Sequence, residues 1–184
     1  MRRDIMRKLV EATFVSLDGV IESPERWALP LWGKAEKDAA LRQLNEFDAF
    51  LLGRATYEKF AAAWSPIKGD PYFDRINSLP KFVPSTTLKT ATWNATLIHG
   101  DVAAEVARLK QTPGKGIIKY GTGVLDQMLI DHHLIDEFKF SIFPIVVGSG
   151  RRLFDGIDSS KLKLHLTDAQ TSPNGIVVVS YAVN

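Results

Sequence analysis

The chain has 184 residues, 45% of them hydrophobic and 24% charged, and a formal net charge of +2. This length suits a single domain of about 100–200 residues, and the composition is that of a globular protein rather than a disordered or fibrous one. Because the basic residues are scattered and no apolar run approaches the ~18 residues of a membrane helix, neither nucleic-acid binding nor membrane insertion is expected.

The chain lacks cysteine, and its four histidines show no HxxxH or HExxH spacing. A disulfide scaffold, a thiolate nucleophile and a cysteine zinc site are therefore excluded, and no metal site is expected. The N-terminus is basic but lacks the apolar segment of a secretory signal. We expect a tail over residues 1–6, one domain over 7–184 and a cytoplasmic location.

In the first half of the chain, short apolar runs alternate with segments of helical spacing. These patterns predict a strand at 8–17, an irregular segment at 22–33, a helix at 34–46, a buried strand at 49–52, a helix at 56–63, a loop through 66–79 and a strand at 81–83.

The second half begins in the same way and then changes to alternating strands. The patterns predict a strand at 92–99, a helix at 102–111 capped by Asp101, a strand at 117–120, a helix at 123–132, and β-rich runs at 138–142, 162–166 and 176–183. Alternating βα units favour a parallel sheet, and the last runs favour antiparallel strands at one edge of it. The predicted fold class is α/β.

Three predicted strands are followed by small or phosphate-compatible residues. Gly121-Thr122-Gly123 is a turn whose backbone N–H groups, with the start of the next helix, could face a phosphate. Arg54 and Thr56 follow a second strand; an arginine fork suits phosphate, and Thr56 could also cap its helix. Ser85-Thr86 follows a third strand. The plainer alternative is a set of ordinary junctions with a solvated arginine.

Ligands of open parallel sheets bind beyond the carboxyl ends of the strands. Three such ends bearing glycine, hydroxyl groups and one arginine suit a phosphorylated ligand of dinucleotide size. The spacing departs from the GxGxxG fingerprint, and an arginine in place of the usual acidic residue favours NADPH over NADH.

Several segments, in order, carry a family resemblance across almost the whole chain. They are Ser16–Ile21, Leu51–Glu58, Gly121–Leu125, Leu134–Phe138 and Phe143–Phe154. With these segments the chain resembles the dihydrofolate-reductase-like superfamily, in particular the RibD C-terminal group of riboflavin-pathway reductase domains. The resemblance implies a three-layer α/β/α fold with a mixed, mainly parallel sheet, and an NADPH-dependent oxidoreductase.

The resemblance also implies where NADPH would bind. Ile21 would lie against the nicotinamide, Gly53, Arg54 and Thr56 near the adenosine 2′-phosphate with Ser85 and Thr86, and Gly121, Thr122, Gly123, Val124 and Leu125 around the pyrophosphate. The substrate class that it suggests is 5-amino-6-(5-phosphoribosylamino)uracil, a phosphoribosyl pyrimidine, or a related small heterocycle.

The chain departs from these relatives at the substrate side. Trp32, after Leu29-Pro30, stands where dihydrofolate reductases carry a carboxylate, which argues against folate reduction. Pro84 stands where many relatives have a valine and removes one backbone donor. The absence of cysteine excludes the zinc deaminase domain of the full riboflavin enzyme. A non-catalytic nucleotide-binding or regulatory module and, third, a true dihydrofolate reductase are the alternative functions.

No catalytic residue is assigned from the sequence. Asp18, Glu22 and Trp32 are candidates, and Glu36 and Asp38 are further carboxyl groups. Asp18 equally suits a turn. Trp27 and Trp32 could stack on a heterocycle or anchor a loop, and Arg151-Arg152 could hold a substrate phosphate or form a solvated turn. A homodimer is possible through apolar residues of the last strands, among them Phe138, Phe140 and Ile176, which could equally be internal core.

Overall fold

Eight strands form one sheet in the computed structural model, which describes residues 6–184. The strands are β1 (Leu9–Ser16), β2 (Phe47–Leu51), β3 (Lys81–Pro84), β4 (Ala95–Ile98), β5 (Gly116–Tyr120), β6 (Glu137–Phe143), β7 (Leu164–Thr171) and β8 (Val177–Val183). Their order across the sheet is β4-β3-β2-β5-β1-β6-β8-β7.

Within residues 6–184, five α-helices cover the sheet. They are α1 (Lys34–Leu44), α2 (Arg54–Trp64), α3 (Pro71–Ser78), α4 (Val102–Gln111) and α5 (Val124–Asp131), and short 3-10 turns lie at Pro24–Arg26, Leu29–Leu31 and Ser159–Lys161. The helices form two layers, because they contribute to two different buried clusters. Helices α1, α2 and α3 contribute to one cluster, and α4 and α5 contribute to the other. Successive strand residues point to opposite faces, so Leu9 enters one cluster and Val10 the other.

The first six strands run parallel, and β8 runs antiparallel to its neighbours β6 and β7. The carboxyl ends of β1 to β5 therefore lie at one edge of the sheet. This arrangement confirms the predicted three-layer α/β fold with a mixed, mainly parallel sheet. The loops that leave these strand ends become neighbours although they are far apart in the chain.

Some predicted elements differ from those observed. The loop predicted through residue 79 contains α3, which begins after Asp70; the Asp70 carboxylate accepts hydrogen bonds from the amides of Tyr72 at 3.0 Å and Phe73 at 3.3 Å. The strand predicted at 162–166 is β7, which begins later and is longer because it pairs with the whole of β8. The cap at Asp101 is confirmed, since its carboxylate accepts from the Ala104 amide at 3.0 Å.

The apolar side chains considered for a homodimer lie inside the chain. Phe138 and Phe140 belong to the core beneath α5, and Ile176 is buried against Ala28 and Phe143. The homodimer stays a prediction, to be tested by light scattering. The predicted tail lies, apart from Met6, outside the described residues, and no helix within residues 6–184 is long and apolar enough to span a membrane.

Candidate functional site

Two clefts open at the edge of the sheet where the parallel strands end. The first has a volume of about 340 Å³ and lies beyond β2, β3 and β4. Its lining includes Arg54, Pro84, Ser85, Thr86, Ile98 and Gly100. The second has a volume of about 280 Å³ and lies beyond β1 and β5. Its lining includes Ile21, Thr122, Gly123, Val124, Arg151 and Arg152.

The residues after β2 lie between the first cleft and the glycine turn after β5. Arg54 begins α2, and its Nη1 atom donates to Glu58 Oε2 at 3.2 Å, which holds the guanidinium beside the first cleft. Gly53 is the N-cap of α2, so the prediction that Thr56 caps this helix is wrong. Thr56 Oγ1 instead lies 3.9 Å from the position that a Cβ atom on Gly121 would take. The tertiary structure therefore brings the β2 end next to the glycine turn after β5.

The residues after β3 form a tight turn of their own. Ser85 is 8% exposed, and its hydroxyl accepts from the amides of Thr87 at 3.2 Å and Leu88 at 3.0 Å. Thr86 at the tip of this turn is exposed. The Ser85 hydroxyl thus shapes the loop, while Thr86 lines the first cleft.

The glycine turn after β5 has fewer free backbone donors than its sequence suggests. The Gly121 amide donates to Ala12 O at 3.1 Å, and the Gly123 amide donates to the Asp126 carboxylate. The amides of Thr122, Val124 and Leu125 donate to no other group among residues 6–184. Val124 and Leu125 are the first two residues of α5, whose amides have no acceptor within the helix, and Thr122 lies in the turn before its N-cap. These three amides fit an anion at the start of α5.

The two glycines of the turn have different structural roles. Gly121 has φ +76°, a conformation that side-chain-bearing residues rarely adopt. Gly123 is extended, and a Cβ atom placed on it would lie 3.8 Å from Arg151 Nη1 across the second cleft. The missing side chain at Gly123 leaves the space between the turn and this arginine open.

A buried charged cluster of Glu11, Lys119 and Asp126 supports the turn from below. Lys119 Nζ lies 2.7 Å from Asp126 Oδ1 and 3.8 Å from Glu11 Oε2, and it also donates to the Gly121 carbonyl. The Thr122 hydroxyl donates to Glu11 Oε1 at 2.6 Å, so this side chain points into the protein. This cluster was not predicted, although Glu11 and Lys119 each place a charge within an apolar strand, which is a signal that the sequence carries.

One carboxyl group of this cluster, Glu11, favours its protonated form. Lys119 Nζ contacts Asp126 Oδ1, whereas Glu11 Oε2 has no hydrogen-bond donor among residues 6–184, and both carboxyl groups are 0% exposed. Burial, opposed by the charge of Lys119, raises the pKa of Glu11 well above its ordinary value. A protonated Glu11 can donate a hydrogen bond to Asp126, and this protonation spares the dry interior an additional negative charge.

The candidate acids near Ile21 are occupied by loop contacts. The Asp18 carboxylate accepts from the Ser16 hydroxyl at 2.7 Å and from the amides of Val147 at 3.0 Å and Gly148 at 2.8 Å. These bonds lower the pKa of Asp18 to about 2, so it is ionised near neutrality and has no proton to donate. Glu22 Oε2 accepts from the Arg151 amide at 2.9 Å. Both residues join the loop after β1 to the loop after β6.

The tryptophans anchor the irregular segment after β1. Trp32 packs on Phe14 with ring centroids 4.7 Å apart, and Trp27 packs edge-on to Phe143 at 5.6 Å. The indole of Trp27 donates to Glu22 O at 2.9 Å. This packing favours the loop-anchoring interpretation of both residues.

The remaining carboxyl candidates differ in burial. Glu36 is 5% exposed; its Oε2 atom accepts from the Gly33 amide at 3.0 Å, and its Oε1 atom has no hydrogen-bond donor. Asp38 is paired with Lys34 on the exposed side of α1. Neither carboxyl lines either cleft.

Comparisons with known proteins agree with this architecture. The model of the RibD C-terminal domain matches residues 7–178. The uncharacterized protein YyaP of Bacillus subtilis is 30% identical over 184 residues, which cover 97% of this chain and 96% of that protein.

Solved structures show the same fold at lower identity. A putative riboflavin biosynthesis protein from Shewanella superposes with a TM-score of 0.75 at 22% identity, over 96% of this chain and 99% of that one. Dihydrofolate reductase from Enterococcus faecalis, complexed with NADP(H), superposes with a TM-score of 0.64 at 18% identity, over 96% of both chains. The fold is dihydrofolate-reductase-like, and the chain belongs to the RibD C-terminal domain family.

Proposed function

We propose that this protein is an NADPH-dependent reductase of a small heterocycle, with 5-amino-6-(5-phosphoribosylamino)uracil as the model of its substrate class. The observation that carries the proposal is the pair of clefts at the ends of the parallel strands. Membership of a reductase-like family agrees with it.

The residues of the two clefts fit the two phosphorylated parts of NADPH. Arg54, with Thr86 nearby, offers a cation and a hydroxyl for the adenosine 2′-phosphate in the first cleft. The free amides of Thr122, Val124 and Leu125 suit the pyrophosphate in the second cleft. When bound, NADPH supplies the hydride, and Ile21 at the edge of the second cleft offers an apolar surface for its nicotinamide.

The proposal is tested by titrating the purified protein with NADPH and NADH, following cofactor fluorescence and thermal denaturation. We expect saturable binding of both cofactors and a tighter dissociation constant for NADPH. Arg54→Gln should reduce the preference for NADPH and leave NADH binding unchanged, because NADH lacks the 2′-phosphate. No binding of either cofactor at millimolar concentration would reject the proposal.

A second candidate function is a nucleotide-binding module without turnover. It is favoured by the small number of carboxyl groups at the second cleft, where Asp155 is the one carboxyl residue of the lining among residues 6–184. Asp18 and Glu22 bind loop amides, and Trp32 packs on Phe14. Assaying NADPH oxidation with a panel of pyrimidine and pteridine substrates separates the two functions. Turnover with any of them would exclude the module, and binding of methotrexate would favour a true dihydrofolate reductase.

A further inference from the structure

Arg151 faces the glycine turn from the opposite side of the second cleft. Its Nη1 atom lies 3.8 Å from the position of a Cβ atom on Gly123. No carboxylate within residues 6–184 forms an ion pair with its guanidinium. This side chain therefore presents an uncompensated positive charge to the space that the turn leaves open.

The backbone of Arg151 is held firmly although its side chain is exposed. Its amide donates to Glu22 Oε2 at 2.9 Å, and its carbonyl accepts from the Ile21 amide at 3.0 Å. The preceding Gly150 has φ +120°, and a Cβ atom on it would meet Glu22 Oε2 and Val20 Cγ1 at 3.1 Å. The loop after β6 is thus packed directly on the loop after β1, and this packing fixes the position of the Arg151 backbone.

The other arginines near the clefts have partners. Arg152 Nε donates to Asp18 O at 3.1 Å, and the Arg152 amide donates to Asp155 Oδ2 at 2.8 Å. Arg54 is paired with Glu58 and lies in the first cleft. In the second cleft the carboxylate of Asp155 is engaged by the loop, whereas the Arg151 guanidinium is available to an anion.

We propose that Arg151 clamps the cofactor pyrophosphate against the free amides of Thr122, Val124 and Leu125. The inference rests on the proposed function and adds a cationic binding residue from the loop after β6. A guanidinium pairs with two phosphate oxygens through parallel N–H groups, while the amides approach from the turn. Because the pyrophosphate is common to NADPH and NADH, Arg151 contributes affinity to both.

The test compares dissociation constants for NADPH and NADH in the wild type, Arg151→Gln, Arg151→Lys and the control Arg42→Gln. Arg42 is an exposed arginine of α1 outside both clefts, so its variant removes the same charge elsewhere. We expect Arg151→Gln to raise both dissociation constants by about tenfold or more, since charge-assisted bidentate bonds are among the strongest. Arg151→Lys should lie between, and the control should match the wild type.

The possible outcomes distinguish a failure of the Arg151 proposal from a failure of the proposed function. Cofactor binding that is equal in the wild type and Arg151→Gln would overturn the clamp and leave the reductase proposal standing. A change only in the Michaelis constant of a phosphorylated substrate would also overturn it, because Arg151 would then bind substrate. If the wild type binds neither cofactor, the proposed function is rejected. In that case, binding of inorganic pyrophosphate by the wild type that Arg151→Gln abolishes would still support an anion site at Arg151.

Discussion

The buried carboxyl group of Glu11 makes the free energy of unfolding depend on pH. Its raised pKa means that the folded chain keeps a proton which the unfolded chain releases above its ordinary pKa of 4.5. The free energy of unfolding therefore falls as the pH rises from that value towards the folded pKa. Glu11→Gln cannot ionise, so we expect its free energy of unfolding to lack this fall.

Urea denaturation of the wild type and Glu11→Gln between about pH 5 and 8 measures this difference. The control is Glu58→Gln, an exposed residue of α2. The two stability curves should diverge with rising pH, with the variant becoming relatively more stable. Parallel curves for wild type and Glu11→Gln would show that Glu11 is not the protonated group.

Gly123 matters through the side chain that it lacks. In Gly123→Val the added methyl groups would fill the space between the turn and Arg151, so we expect the dissociation constant for NADPH to rise at least tenfold. Loss of a good N-cap residue should cost about 1 kcal/mol of stability. Fluorescence titration well below the melting temperature checks the result, with Ala35→Val on exposed α1 as the control. Unchanged affinity would mean that no ligand enters this space.

At the scale of elements, α3 depends on its N-cap. Asp70 accepts two backbone hydrogen bonds at the start of the helix and lies 2.9 Å from Lys37 Nζ. Asp70→Ala should lower the free energy of unfolding by about 1 kcal/mol, within a range of ~0.5–2 kcal/mol. Asp70→Asn keeps the acceptor and should retain most of the stability. Urea denaturation checks both variants, and equal losses in both would assign the effect to the ion pair with Lys37.

The same helix shows why some elements escaped prediction. Its proline and glycine surroundings at Pro66, Gly69 and Pro71 indicate a loop, yet Asp70 followed by Pro71 is a typical helix start. β7 was placed too early because its second half is polar and exposed, and only pairing with β8 makes it a strand. The buried strands were predicted well, since a short apolar run closed by glycine has few other interpretations.

At the scale of the molecule, the proposal requires one cofactor to bridge both clefts. Saturating NADPH should then slow amide hydrogen exchange at residues 85–87 and at 122–125 together, because a single ligand orders both loops. Hydrogen exchange with mass spectrometry measures this, with the distant turn at 172–175 as the unprotected control. Protection confined to one cleft would contradict a shared dinucleotide.

The amino-acid sequence alone was sufficient to predict the α/β class and to identify the three strand-end motifs and the family resemblance, because these depend on local spacing and composition. The neighbours of each strand came only from the fold: β5 lies between β2 and β1, which places Gly121 beside Thr56. Arg151 reaches the same place through the loop after β6. The packing of the helices on the sheet determines which strands pair. The hydrogen-bonding edges of parallel strands are alike, so the local sequence does not specify the partner of each strand.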